Sequence, residues 1–338
     1  MEGLGFGIIG CGAIAGWHGD ALQRVKGATL VACTDVNGKS RETFALKYGI
    51  LDYGTVEEML ENPSVHAVSI CTPSGLHKEI CLKAARAGKH IVVEKPMALT
   101  PCECDEIIQA CGQYKVKLEV ISQNRFKQNV RAVKKAVEEG FLGKIVTADI
   151  YMKYNRDPEY YKSSSWKGTW RMDGGGALMN QGIHGVDMLL YIMGDVKSVF
   201  GYARTLARDI EVEDTASAVL EFRNGAIGVI QGTTSVYPGY PRRLEINGDR
   251  GSVVLREGNI ETWDVEGLER PQGEDVISGA HSDPMAFSAE GHVMQIQDLV
   301  DAVREDRRPY VDQHEGKRPV VLICAIYESS ASGKRIDL

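Results

Sequence analysis

Glycines and small residues at fixed spacing follow the first apolar run of the chain. The segment Gly10-Cys11-Gly12-Ala13-Ile14-Ala15 ends a run that begins at Leu4. At such a motif the first glycine permits a tight turn, the second lets a pyrophosphate approach the backbone, and a small third residue lets the next helix pack closely. The N–H groups at the start of that helix attract phosphate charge. The spacing therefore predicts a dinucleotide site at Gly10, Cys11, Gly12, Ala13 and Ile14.

An acidic residue ends the second apolar run, 20 positions after Ala15. A carboxylate at Asp35 can hydrogen-bond the ribose diol of a dinucleotide and would repel a 2′-phosphate. Lys39 and Arg41 follow, and their charge would weaken that exclusion. The pattern favours NAD over NADP as the cofactor.

Further polar residues follow the later apolar runs of the same region. Ligands of open parallel sheets bind at the carboxyl ends of strands, so these residues are expected to border the cofactor. They are Thr72, Pro73, Ser74, His77, Glu94, Lys95 and Gln123. For His77 and Gln123, capping or hydrogen bonding within the protein is an equally good interpretation.

A second group of polar residues lies in an apolar, helical stretch. Asn180, His184 and Asp187 are spaced four and three apart, which puts them on one face of a helix. A buried hydrogen-bond network would explain such a face. Proton abstraction from an alcohol would explain it too, because a base with a pKa near neutrality suits that step, and His184 is such a base.

Aromatic and cationic residues are concentrated before this stretch. Six aromatic residues lie within 151–170, and the window 151–173 contains five cationic residues but only three acidic ones. Sugar rings stack on aromatic faces, and an anionic sugar would be attracted by the cations. A packing or subunit-interface segment is an equally good interpretation. The candidates for substrate binding are Asn180, Asp187, Lys167, Trp166, Arg171 and Tyr161.

Two domains are predicted to position these groups. Residues 1–122 alternate buried strands with amphipathic helices, which indicates an α/β Rossmann domain with a doubly wound parallel sheet. Residues 123–338 carry strands joined by hairpin signals together with four helices, which indicates an α+β domain with a large, open, mostly antiparallel sheet. We expect this second domain to bind substrate and to form oligomers.

The composition excludes several classes of protein. A net charge of -7 gives no reason to expect nucleic acid as a partner. No apolar run approaches the roughly 20 residues of a membrane helix, and no signal peptide precedes the first strand. The 8 cysteines are expected to be free thiols, no ligand set predicts a metal, and a cytoplasmic location follows as the expectation.

The order of these motifs resembles the Gfo/Idh/MocA family of oxidoreductases, named after glucose-fructose oxidoreductase and inositol dehydrogenase, over nearly the full chain. The resemblance implies that Lys95 of Glu94-Lys95-Pro96 is catalytic, that the peptide before Pro96 is cis, and that His184 and Asp187 act at the substrate. Asn180 departs from the Asp that the family often has there. It implies homodimers or homotetramers, and the run from Trp166 to His184 is similar to nucleotide-sugar 3-dehydrogenases acting on UDP-linked uronic acids.

The predicted function is hydride transfer between NAD and a secondary alcohol of a sugar, cyclic polyol or nucleotide-linked sugar. In that reaction His184 takes the hydroxyl proton and Lys95 is the cation beside the developing alkoxide. Two alternatives stay open: a regulatory protein that binds dinucleotide and sugar without turnover, and an NADP oxidoreductase whose cofactor does not dissociate.

Overall fold

The computed structural model describes residues 3–272 and 289–338. The strands within them are β1 (Leu4–Ile9), β2 (Ala28–Thr34), β3 (Leu51–Tyr53), β4 (Ala67–Ile70), β5 (His90–Val93), β6 (Leu118–Val120), β7 (Ile145–Lys153), β8 (Val196–Arg204), β9 (Thr215–Phe222), β10 (Ile227–Thr233), β11 (Arg243–Gly248), β12 (Gly251–Arg256), β13 (Asn259–Val265) and β14 (Ile336–Asp337). The α-helices are α1 (Ala13–Leu22), α2 (Gly38–Tyr48), α3 (Val56–Glu61), α4 (His77–Arg86), α5 (Pro101–Tyr114), α6 (Gln128–Glu138), α7 (Pro158–Lys162), α8 (Trp170–Asp173), α9 (Ile183–Met193), α10 (Glu290–Arg304) and α11 (Gln313–Ser332).

Strands β1 to β6 form one parallel sheet in the order β3-β2-β1-β4-β5-β6. β4 is buried at every position, as expected for a strand covered on both faces. The order reverses between β1 and β4, so the loops that follow these two strands diverge and leave the crevice at which such sheets bind ligands. The predicted Rossmann sheet is confirmed.

The core of this first unit includes a helix from late in the chain. Ile296, Leu299 and Val300 of α10 are buried in the same apolar cluster as Phe6 and Val92. The chain accordingly divides into one unit that ends at Gln123 and regains Ala289–Lys317, and a second unit that begins at Asn124 and ends with Arg318–Leu338. This differs from the sequence-based boundary, which gave 289–317 to the second domain, because the apolar face of α10 packs on α1.

Strands β7 to β14 form the sheet of the second unit, in the order β13-β12-β11-β7-β10-β9-β8-β14. β7 and β10 pair in parallel and all other neighbours are antiparallel. The predicted hairpin signals lie at its tight turns, where Gly225 has a φ of +88° between β9 and β10. The mostly antiparallel sheet is therefore confirmed. No helix among the described residues is long and apolar enough to span a bilayer.

Candidate functional site

The glycine motif forms the turn between β1 and α1. Gly10 has a φ of +90°, and a Cβ there would lie 3.0 Å from the backbone of Cys71. At Gly12 no atom lies within 4 Å of where a Cβ would be. No side chain caps the first N–H groups of α1, and Ala15 is completely buried below the turn. The local geometry is the one that a pyrophosphate needs, with open space at Gly12 in front of the first N–H groups of α1.

Asp35 follows β2 and its carboxylate closes the glycine turn from the side. One oxygen accepts a hydrogen bond from the N–H of Cys11 at 2.6 Å and the other from the N–H of Asn37 at 2.7 Å. A carboxylate oxygen can accept two hydrogen bonds, so both retain capacity for a ribose hydroxyl. Arg41 donates a hydrogen bond to Asp52 at 2.9 Å, and this ion pair compensates the positive charge of Arg41.

Thr72, which follows β4, and Gln123, which follows β6, each carry a buried polar side-chain atom. Thr72 Oγ1 and Gln123 Oε1 have no hydrogen-bond partner among the described residues. Leaving such an atom unsatisfied costs about 1–3 kcal/mol, which a ligand hydroxyl or amide would recover. Ser74 opens the 3-10 turn Ser74–Leu76, with Pro73 directly before it. Together with the glycine turn, these atoms fit a dinucleotide.

His77 differs from its predicted cofactor role. Its side chain is only 1% exposed, and its ring nitrogens lie 2.7 Å from the carbonyl oxygen of Pro96 and 3.0 Å from that of Thr72. Burial lowers the pKa of His77. The ring joins the loops after β4 and β5, and no ring nitrogen is left for a ligand.

Lys95 directly follows Glu94 at the carboxyl end of β5. The Lys95–Pro96 peptide is cis, as the resemblance implies, and the Lys95 side chain is half-buried. Glu94 is buried and accepts a hydrogen bond from the N–H of Lys95 at 3.1 Å and one from His18 Nε2 at 3.0 Å. Glu94 therefore anchors the segment that carries Lys95. Its predicted role was direct contact with the cofactor, and its observed hydrogen bonds are to the protein instead.

One group of metal-ligating side chains comes together in the part of the chain that the structure describes. Ligand atoms of His18, Glu94 and His292 lie within 4.8 Å of one another, and all three residues are buried. Sequence analysis predicted no metal and did not associate these residues, since they come from α1, the end of β5 and α10. The absence of a metal stays a prediction.

In the second unit a π-helix precedes the candidate base. One α-helix was predicted over 177–193, but Ala177–Gly182 forms a π-helix and α9 begins at Ile183. Glu213 holds the start of this π-helix, because its carboxylate accepts hydrogen bonds from the N–H groups of Gly176 and Leu178 at 2.8 Å each. His184 is the second residue of α9 and is partly exposed. Such wide turns are common at functional sites.

Asn180 lies in the π-helix beside a buried acid. Its Nδ2 donates a hydrogen bond to Asp173 Oδ1 at 2.7 Å, and Asp173 Oδ2 accepts one from the N–H of Gly168 at 2.7 Å. Asp173 is 2% exposed. The amide at residue 180 thus provides the donor that this buried carboxylate requires.

The aromatic segment gathers around a tyrosine that sequence reasoning did not select. Lys167 Nζ lies 4.1 Å from the ring centroid of Tyr160, and the Tyr161 ring packs edge-on at 5.1 Å. Trp166 is adjacent, 6.0 Å from Lys167 Nζ to ring centroid. Burial lowers the pKa of Lys167. Of the predicted substrate residues, these three cluster, whereas Arg171 is exposed on α8.

Arg156 and Gln181 are further residues that the sequence did not reveal. Gln181 Oε1 accepts hydrogen bonds from Arg156, the shorter at 2.9 Å, and Gln181 Nε2 donates to the Tyr160 hydroxyl at 2.8 Å. The aromatic and cationic residues of the segment are therefore linked to the π-helix within one unit. The only sequence signal for this network was the local excess of cations.

Asp187 differs from its predicted role at the substrate. It is 2% exposed, and both of its carboxylate oxygens accept hydrogen bonds from Arg125, which is 1% exposed. The pair joins the segment before α6 to α9. Asp187 fixes the helix that carries His184 and presents no free oxygen to solvent.

Glu213, which is buried, and Tyr327, which is partly exposed, form a second pair that was not predicted. The Tyr327 hydroxyl donates to Glu213 Oε1 at 2.8 Å, and burial raises the pKa of both groups. The pair connects α11 to the start of the π-helix. It was missed because the two residues are 114 positions apart.

Two family models match the chain. The Oxidoreductase family, NAD-binding Rossmann fold, matches residues 4–122, and the GFO/IDH/MocA C-terminal domain matches residues 130–254. Myo-inositol 2-dehydrogenase of Thermotoga maritima is 28% identical over 98% of each chain.

Solved structures are similar over the whole length. The WlbA dehydrogenase from Bordetella pertussis, in complex with NADH and UDP-GlcNAcA, is 34% identical over 99% of each chain, with a TM-score of 0.89. The WlbA dehydrogenase from Chromobacterium violaceum, in complex with the same two ligands, is 31% identical over 100% of this chain and 96% of that one, with a TM-score of 0.90.

Proposed function

Because this chain belongs to the Gfo/Idh/MocA family of NAD-binding oxidoreductases, we propose that it oxidises a secondary alcohol of a nucleotide-linked sugar acid. NAD is its cofactor, and sugars, cyclic polyols and nucleotide-linked sugars are the substrate class of its relatives. The observation that carries the finer assignment is the full-length similarity to a dehydrogenase bound to NADH and UDP-GlcNAcA, combined with the presence of Lys95 and His184 in this chain.

The first unit supplies the groups that would hold NAD. The glycine turn faces open space at Gly12, Asp35 retains acceptor capacity for a ribose diol, and the orphaned Thr72 Oγ1 and Gln123 Oε1 need a partner. The predicted contacts at Gly10, Cys11, Ala13, Ile14, Pro73 and Ser74 accompany them.

The chemistry of the protein's own side chains then follows. When bound, NAD would supply the acceptor for the hydride of the substrate carbon. We assign the imidazole of His184 as the base that takes the hydroxyl proton, and the ammonium of Lys95 as the cation that stabilises the alkoxide. Glu94 and the Pro96 segment keep Lys95 at the end of β5.

The second unit supplies cations for an acidic substrate. Lys167 and Arg171 would attract the carboxylate and diphosphate charges, and Trp166 and Tyr161 would pack against sugar or base rings. Asn180, already bonded to Asp173, would orient a sugar hydroxyl.

The experiment is NAD reduction, followed by nicotinamide absorbance, with UDP-GlcNAcA, UDP-GlcNAc and myo-inositol. UDP-GlcNAc lacks only the carboxylate, so turnover restricted to UDP-GlcNAcA would support an acidic substrate. Lys95→Ala and His184→Ala are each expected to lower kcat at least about 100-fold. Lys135→Ala and His314→Ala, at exposed positions, are the matched controls.

Two results would refute this function. Full turnover by Lys95→Ala and His184→Ala would show that these residues are not the cation and the base of the reaction. Tight NAD binding without turnover on any substrate would favour a sensor or a non-dissociating cofactor.

A homodimer or homotetramer is also proposed, with one sheet face as its interface. Phe200, Tyr202, Val219 and Ile227 point outward from β8, β9 and β10, and each is at least 36% exposed. A second copy would cover this apolar surface. Light scattering should give a mass above one chain, and Val219→Lys should lower it to one chain. A cytoplasmic location fits the eight free cysteines.

A further inference from the structure

The carboxylate of Glu94 is held by buried groups from two other helices. Glu94 Oε1 lies 3.0 Å from Nε2 of His18 on α1 and 3.5 Å from Nε2 of His292 on α10. Glu94 Oε2 accepts the N–H of Lys95 at 3.1 Å. Both histidines are completely buried. Glu94, the residue before Lys95, is therefore held in place by a residue of α1, the helix that follows the glycine turn.

Hydrogen-bond chemistry assigns the direction of each bond to His18. Nε2 of His18 faces the Glu94 carboxylate and Nδ1 faces the Ser69 hydroxyl, so the direction of each bond depends on which nitrogen carries the hydrogen. A carboxylate only accepts, so Nε2 donates to Glu94 and Nδ1 accepts from the hydroxyl of Ser69, which lies 3.0 Å away. Each oxygen of Glu94 accepts a hydrogen bond from an N–H group, one from His18 and one from Lys95, which is the arrangement of an ionised carboxylate. Glu94 is thus an ionised acceptor.

The ionised carboxylate in turn orients the backbone at Lys95. A charge-assisted bond from the Lys95 N–H restricts the peptide that carries the side chain, and Lys95 follows β5 without regular secondary structure of its own. Without a donor at residue 18, Glu94 would be a buried charge with one bond fewer, and its rotamer would no longer be fixed.

We propose that His18 is a positioning residue for the reaction: by donating to Glu94, it fixes the placement of Lys95. This inference rests on the proposed function, since it requires Lys95 to act on the substrate. His18 reaches Glu94 across 76 positions of the chain, so the contact is a property of the fold.

Two variants that differ by one methylene test the proposal. In His18→Gln the side-chain amide takes the position of Nε2 and can still donate to Glu94. In His18→Asn the amide takes the position of Nδ1, near Ser69, and is too short to reach Glu94. We expect His18→Asn to lower kcat about 10- to 100-fold, whereas His18→Gln stays within roughly 5-fold of the wild type and both bind NAD like the wild type.

A double-mutant cycle shows whether His18 acts through Glu94. Glu94→Gln should lower kcat to a similar extent, and adding His18→Asn to it should cause little further loss. His66→Asn, at an exposed position at the start of β4, controls for the loss of a histidine in the same unit. Thermal melting identifies any variant that does not fold. If His18→Asn does not fold, the kcat of Glu94→Gln is compared with that of His18→Gln instead.

Three outcomes would overturn the proposal. Equal kcat losses in His18→Gln and His18→Asn would indicate a structural role alone, and additive losses in the cycle would exclude action through Glu94. Stoichiometric metal in the purified enzyme, lost on His18→Asn, would make the cluster a metal site. Lys95→Ala, measured in parallel, separates the hypotheses: if it retains full turnover, the proposed function fails, whatever His18 does.

Discussion

Arg125 and Asp187 form an ion pair in which both side chains are almost completely buried, with Arg125 Nη2 2.6 Å from Asp187 Oδ1. Removing one partner of such a pair leaves a buried charge uncompensated. Asp187→Ala should therefore lower the free energy of unfolding by about 3–5 kcal/mol, measured by urea denaturation. Asp209→Ala, at an exposed position, is the control. Unchanged stability with a raised substrate KM would instead return Asp187 to the substrate site.

Asp35→Ser is expected to change the choice of cofactor. The substitution removes the carboxylate that would accept hydrogen bonds from the ribose hydroxyls, so KM for NAD should rise about 10-fold or more. It also removes the charge that opposes a 2′-phosphate, so NADP should become a substrate. The ratio of kcat/KM for NAD and NADP measures both effects, with Asp20→Ser as the control. A ratio equal to that of the wild type would contradict the role of Asp35.

Glu119 on β6 makes the stability of the protein depend on pH. It is completely buried, and burial raises its pKa well above the ordinary value. The folded protein then binds a proton that the unfolded chain has released, so stability falls as pH rises from the ordinary glutamate pKa through the raised one. Glu119→Gln should remove this dependence and stabilise the protein at alkaline pH on the order of 1 kcal/mol.

Urea denaturation at pH 5 and pH 8 checks this sign. A Glu119→Gln variant whose change in stability between pH 5 and pH 8 equals that of the wild type would show that the carboxyl group is ionised in the fold. Glu106→Gln, on the surface of α5, is the control.

Asn180→Asp would place a second acid beside Asp173 and is expected to destabilise this chain. The new carboxylate would lie where Nδ2 now donates to Asp173 at 2.7 Å. Two carboxylates that close cannot both ionise, so the pKa of the pair rises in the fold, and stability is lost as pH increases. A loss of about 1–2 kcal/mol at neutral pH, smaller at pH 4.5, should appear in urea denaturation.

The charge-swapped variant is the sharpest control for this prediction. Asp173→Asn combined with Asn180→Asp restores one acid and one amide, so its stability should exceed that of Asn180→Asp alone. Equal stability of the two variants would show that the contact between residues 173 and 180 is not the cause.

Structural elements that are determined by residues close together in the sequence could be predicted from it. Parallel strands buried on both faces, such as β1 and β4, are continuous apolar runs. Gly49 directly follows α2 with a φ of +66°, a conformation that glycine adopts without strain and that commonly ends a helix. The glycine turn likewise depends on adjacent residues. Fold class and cofactor motif therefore followed from short windows.

The remaining features depend on contacts that short windows do not contain. His18 meets Glu94 across 76 positions, and Arg125 meets Asp187 across 62. Sequence spacing showed that Asp187 shares a face with His184 but not that a buried arginine occupies it. The π-helix was missed because its turn depends on Glu213, outside the helical window.

The return of α10 to the first unit has a consequence for synthesis. A nascent chain that has grown only as far as β13 contains all six parallel strands, but it lacks Ile296, Leu299 and Val300, which complete their apolar core. It also lacks His292, one of the two imidazoles that surround Glu94. The amino-terminal unit thus cannot finish folding before α10 has been translated, and the contacts that hold Glu94 beside Lys95 are complete only after that point.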